Sequence, residues 1–187
     1  MNTPAHAILN LAVLGRDERR QAVPVLAGAV VPDLPIFGFY AWQKLVAGNP
    51  ESAIWGTLYF RPEWQMFFDL FNSVPLALVG WIVARVRGLP ALGAFSLSVL
   101  LHAACDLPVH HDDGHRHFLP FSHWRFESPL SYWDPRHYGM LGAGLEGAAV
   151  LVASAVLWQR YPNAAARTPL VVVNALYATV WYMFYVS

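Results

Sequence analysis

Three histidines and three carboxylates crowd into one short stretch, His102-Ala-Ala-Cys-Asp106-Leu-Pro-Val-His110-His111-Asp112-Asp113. On a helix, His102 and Asp106 stand one turn apart on one face, so both can reach a single ion. Pro108 stops that helix, because the residue before a proline is pushed out of the α region. His110, His111, Asp112 and Asp113 can then curl back over the same point. Imidazole nitrogens and carboxylate oxygens suit zinc or another divalent transition metal. Without an ion, the stretch reads as a wet polar cap on a membrane helix. The metal reading is favoured because an ionisable pair at the end of an apolar run needs a partner. Cys105 is the single cysteine, so no internal disulfide forms, and it reads as a small buried side chain rather than a ligand.

The elements that must position these residues are apolar. Of 187 residues, 56% are hydrophobic and 13% charged, with zero net charge, against about 25% charged in a soluble domain. No basic stripe points to nucleic acid. Thr3 and Pro4 open a helix as N-cap and first helical residue, but its apolar run to Leu14 is too short to span a bilayer alone. It is also a poor signal peptide, since no basic residue precedes it while Arg16, Arg19 and Arg20 follow. Longer runs cover residues 22–46, 66–86, 89–107, 138–159 and 169–186. The first is interrupted by Pro32-Asp33-Leu34-Pro35, which implies a kink or break. Gly139, Gly142, Gly144 and Gly147 should admit a close helix neighbour. Residues 48–64 read as an aqueous or interfacial loop. Residues 109–137 hold six of the eight histidines among many aromatics, a mixture that fits the membrane–water interface. The expected fold is all-α: one polytopic bundle over residues 1–187, with about five full transmembrane helices, a short N-terminal half-helix and a His-rich extracytoplasmic loop.

Arg16, Arg19, Arg20, Arg85, Arg87, Arg160 and Arg167 fall in three short connections. The positive-inside rule puts these in the cytoplasm and the His-rich loop outside. Counted back from these arginines at roughly 1.5 Å per residue, His6, Asp33, Asn72, His102 and Glu146 lie about 15–22 Å above the inner surface. Asp106 and Asp69 come slightly higher. Charges in lipid rarely persist unless they face one another or a cavity, so this common depth favours a shared polar site. Taken singly, Asn72 reads as an interhelical amide contact, Asp33 as a ligand or a cap, and Glu146 as packing or functional. His115, His117, His123 and His137 read as exposed or as headgroup contacts.

Thr3-Pro4-Ala5-His6, Val31-Pro32-Asp33 and His102-x-x-x-Asp106, in that order, resemble the membrane-bound metal-dependent hydrolases. These are multi-pass bacterial inner-membrane proteins distantly similar to zinc-dependent phospholipase C. The resemblance covers roughly the first two-thirds of the chain. It implies His6, Asp33, His102 and Asp106 as metal ligands. Leu34-Pro35 follows Asp33 where the family commonly has a second acid, and Asn72-Ser73 stands in place of a His-Ser pair.

The expected function is hydrolysis of a lipid or lipid-linked phosphoester from the periplasmic side by a divalent metal, zinc first. His110 would be a further ligand, Glu146 the general base or acid, and His111 the leaving-group proton donor. A lipid amide is the other substrate. The competing class is a non-catalytic membrane subunit or scaffold that keeps a degenerate metal site and binds a membrane protein partner. A transporter is disfavoured because the unequal segments show no paired halves.

Overall fold

A computed structural model describes residues 1–15 and 19–186. The described residues form helices and turns with no strand. In chain order the helices are α1 (Thr3–Leu14), α2 (Arg19–Val30), α3 (Leu34–Ala41), α4 (Glu51–Ala53, a single turn), α5 (Pro62–Phe71), α6 (Val74–Arg87), α7 (Pro90–Asp106), α8 (Gly139–Arg160) and α9 (Ala164–Tyr185).

Three spans are long and apolar enough to cross a membrane: Gln21–Val46, Pro62–Arg87 and Gly139–Arg160. That is fewer than the five expected, and two helices account for the difference. The 17 residues of α7 rise only about 25 Å, short of a hydrocarbon core of about 30 Å. Helix α9 matches α8 in length, but Asn174, Tyr177, Trp181 and Tyr182 dilute its hydropathy. The apolar residues that remain exposed on these helices, such as Ile82, Val86, Val152, Val180 and Phe184, point away from the bundle. A helical membrane-type bundle fits that surface.

Helix α7 packs on α2 and α6, while α1 lies against α2, α7 and α8, and α9 covers α8. The sequence explains the tight contacts. A Cβ at Gly28 of α2 would stand 2.3 Å from the Phe95 carbonyl oxygen of α7, so only glycine allows these backbones to approach. Asn10 of α1 donates to the Ser98 carbonyl (2.8 Å) and hydroxyl (2.9 Å), and Ser98 donates on to Val25 (2.6 Å). This polar link ties α1, α7 and α2 where lipid offers no competing water. Gly88, at φ 65°, ends α6, and Pro90 starts α7, the usual division of labour between these residues.

Three local expectations meet differences and one is met. Thr3 is not the N-cap; Asn2 is, and neither caps by side chain, because Thr3 donates its hydroxyl to Asp33 and Asn2 donates its amide to Glu146. The interruption expected at Pro32–Pro35 is present as a 3-10 turn, Val31–Asp33, between α2 and α3. Residues 48–64 are not simply loop: Ile54 and Tyr59 pack with Phe39 and Phe68 into an aromatic core. Gly139 and Gly142 admit no helix; a Cβ at Gly142 would sit 2.2 Å from the Ser131 carbonyl of the His-rich segment. Gly144 and Gly147 do face α9, at ordinary distances from Trp181 and Tyr177.

The two ends of the bundle differ. Arg160 donates to the Leu11 and Ala12 carbonyls at the end of α1. Gln21 shares a cleft with Arg85, Gly88 and Leu89, so α1, α2, α6, α7 and α8 all meet at an arginine-bearing end. Arg16 and the side chains of Arg19 and Arg20 lie outside the described residues. Residues 109–137 fold over the opposite end. A backbone bond from Val74 of α6 to His117 fastens them there, and bonds from Tyr132 to Val109 and from Ser131 to His137 hold the segment together.

Candidate metal centre

Three elements deliver polar groups to one point at the capped end. The last turn of α7 presents His102 and Asp106, the first turn of α1 presents His6, and the 3-10 turn after α2 presents Asp33. His6 and His102 are fully buried and Asp106 is 3% exposed. His6 Nε2 lies 2.9 Å from Asp106 Oδ1, and His102 Nε2 lies 3.0 Å from Asp106 Oδ2 and 3.5 Å from Asp33 Oδ1. The two imidazoles stack, with centroids 3.6 Å apart and planes 15° from parallel.

The tautomer of His102 follows from its partners. Its Nδ1 lies 2.9 Å from the Ala29 carbonyl, which can only accept, so Nδ1 carries the proton. In the neutral ring Nε2 then turns a lone pair toward two carboxylates, and it has no hydrogen-bond partner. Only a cation at that point makes the arrangement favourable, either a proton on Nε2 or a metal ion. Backbone carbonyls commonly hold metal-ligating histidines in this orientation. Ligand atoms of His6, His102 and Asp106 lie within 4.8 Å of one another, so this buried group could hold a metal ion. Its donor set of two nitrogens and one oxygen fits that role.

His110 joins from the loop. Its Nε2 is 3.2 Å from Asp106 Oδ1, and its Nδ1 is 3.1 Å from Asp113 Oδ1. The Met1 nitrogen bonds to Asp106 and lies 2.8 Å from His110 Nε2, a positive group set against the same carboxylate. Burial and that nitrogen oppose charge on His110, but Asp106 and Asp113 hold its pKa above the usual imidazole value. Burial would raise the Asp113 carboxyl, yet bonds from His110 and Trp133 hold it below the usual carboxylate range. Thus His6, Asp33, His102, Asp106 and His110 meet. A cavity of about 610 Å³ opens over Asp33, Asp106 and His110.

Glu146 and His111 are placed elsewhere. Glu146 Oε1 accepts from the Asn2 backbone and side-chain nitrogens, each at 2.9 Å, and from the Tyr177 hydroxyl. His111 turns its Nδ1 to the Ser128 carbonyl (2.6 Å) and stacks on His137. Neither lines the cavity above the cluster.

Two histidines read as exposed are instead buried. His115 Nδ1 lies 3.1 Å from Asp69 Oδ1, a fully buried carboxylate that also binds Arg116, and His115 lines the cavity. His117 Nδ1 lies 3.1 Å from the Asn72 carbonyl, and burial holds its pKa below the usual value. Asn72 donates across to the Pro32 carbonyl at 3.3 Å, an interhelical amide contact. The available signal was Asp69 itself, an acid in an apolar run that must find donors. His123 is exposed and His137 half-buried.

Compared with protein-family models, curated proteins and solved structures, the chain matches none.

Proposed function

We propose that the chain is a membrane-embedded metal-dependent hydrolase, acting from the extracytoplasmic side on a lipid or lipid-linked phosphoester. The observation that carries this reading is the buried group of His6, His102 and Asp106, with His102 Nε2 aimed by the Ala29 carbonyl at Asp106 and Asp33. His6, His102 and Asp106 would hold the ion, zinc by donor type, with Asp33 and His110 able to complete the set. When bound, the ion polarises the scissile group and lowers the pKa of a water toward neutrality.

The chain's own residues do the rest. Asp113 orients His110, and Asp69 orients His115 at the cavity wall. In phosphoester hydrolysis a water oxygen bonds to phosphorus as the leaving oxygen departs, and that oxygen needs a proton. His115 has the access to the cavity that His111 lacks, so it takes the proton-donor role. Glu146 holds Asn2 in place rather than acting as base. The arginine-bearing end lies in the cytoplasm by the positive-inside rule.

Elemental analysis of the purified chain, with a lipid-hydrolysis screen, tests the reading. One tightly held metal per chain, lost in His102→Ala and Asp106→Ala, together with metal-dependent turnover, supports it. A chain free of metal that copurifies with one larger complex overturns it in favour of a membrane subunit.

A further inference from the structure

A second cavity lies beside the one above the cluster, and the two share a wall. It measures about 400 Å³ and runs between α8 and α9, lined by Pro4, Ala143, Leu176, Val180, Trp181 and Phe184. Asn2, Tyr132 and Trp133 line both cavities. One compartment is therefore apolar and the other carries Asp33, Asp106 and His110, with two amphipathic rings on the wall between them.

The wall is a built feature. Asn2 is fixed by two bonds to Glu146 Oε1, and Tyr177, which also lines the apolar cavity, donates to the same oxygen. Glu146 thereby fastens the start of α1 between α8 and α9. The groove opens outward, since Leu176, Val180 and Phe184 are 58%, 50% and 75% exposed.

We propose that this groove holds one acyl chain of the lipid whose polar head lies over the His6–His102–Asp106 cluster, a statement that rests on the hydrolase reading for the head alone. A lipid joins a polar head to an apolar chain, and the paired cavities match that division at a single junction. The lining of the groove offers apolar surface to a chain. Tyr132 and Trp133 place amphipathic rings where head meets chain, as at a membrane interface. The open side of the groove faces the surface from which a lipid would enter.

The test uses the full chain in phosphatidylglycerol vesicles containing a trace of phosphatidylglycerol with a diazirine midway along one acyl chain. After irradiation, adducts are mapped by mass spectrometry. Expected adducts concentrate on Leu176, Val180 and Phe184, severalfold above Leu151 and Val152, which are equally exposed on α8. Ala143→Trp fills the groove and should remove most of that excess while leaving metal content unchanged. Val180→Trp at the rim should do the same if Ala143→Trp does not elute as a folded species. Even labelling of all lipid-facing residues, labelling indifferent to a folded groove-filling variant, or adducts replaced by crosslinks to a second copy each overturn the proposal. Groove labelling in a chain without metal or turnover overturns the hydrolase reading and leaves the chain site standing.

Discussion

The sharpest perturbation is Asp106→Asn, read by thermal unfolding with and without zinc. Asparagine preserves the shape of the side chain but removes the charge that faces His6, His102 and His110 at 2.9–3.2 Å. His6 and Asp106 are 100 residues apart in the chain, so the unfolded state does not present the site and the free energy of binding appears as folding stability. Zinc at about 100–1,000 times its dissociation constant adds about 2.7–4.1 kcal/mol to the folded state. For a chain of 187 residues, at about 2–4 °C per kcal/mol, the melting temperature rises by about 5–16 °C. The assay is tryptophan fluorescence of the detergent-solubilised chain, in excess zinc and in chelator. The native chain should show the full difference, and Asp106→Asn and His102→Ala almost none. If Nε2 of His102 is instead occupied by a proton, zinc and chelator give the same melting temperature in all three proteins. That equality, or an undiminished zinc shift in Asp106→Asn, would refute the metal assignment.

Three further outcomes are expected. His115→Ala should lower turnover by about 10²–10⁴-fold, the usual contribution of a positioned acid, while His111→Ala leaves it within a few-fold; equal losses in the two variants would remove His115 from the proton-donor role. Asn10→Ala cuts the link among α1, α7 and α2, and should cost about 0.6–1.7 kcal/mol, the range for hydrogen bonds between membrane helices. Its zinc content should not change, and a loss of zinc would show that the link below the cluster also sets ligand geometry. The third concerns pH: Arg136, by side chain and backbone, and then His137 hold the Asp134 carboxyl below its ordinary value. A depressed folded pKa gives stability that is present above the unfolded value, about 3.9, and is lost as pH falls through the folded value. Amide protection over residues 128–139, corrected for intrinsic exchange, should therefore hold at neutral pH and decline only below about pH 4. Decline already near pH 6 would assign the loop's stability to its histidines.

What could be read from the sequence was set by the cost of burying charge. His102 and Asp106 fall on one face of α7 at its last turn, beside a proline that ends it, and an apolar helix leaves such a pair few places to go. The same pressure draws His6 and Asp33 to the same level, and their meeting at one point comes from the packing of α1 and α2 on α7. Span number was less legible, because a run of apolar residues does not reveal that Pro90 and the Asp106 cluster cut α7 to 17 residues. The loop was least legible. Residues 109–137 have almost no regular helix, so no periodicity separates inward from outward side chains, and their average polarity suggested water. The position of His115 is decided by Asp69, 46 residues earlier, and that of His117 by the Asn72 carbonyl freed where α5 gives way to α6. Glu146 follows the same logic in reverse: an acid at the right depth has one oxygen, Oε1, taken up by Asn2 from α1 and Tyr177 from α9. Depth in the membrane thus identifies which groups must be neutralised. Only the partner each group finds separates a ligand from a fastening: the Ala29 carbonyl turns His102 Nε2 toward Asp106 and Asp33, whereas Glu146 Oε1 is taken up by Asn2 and Tyr177.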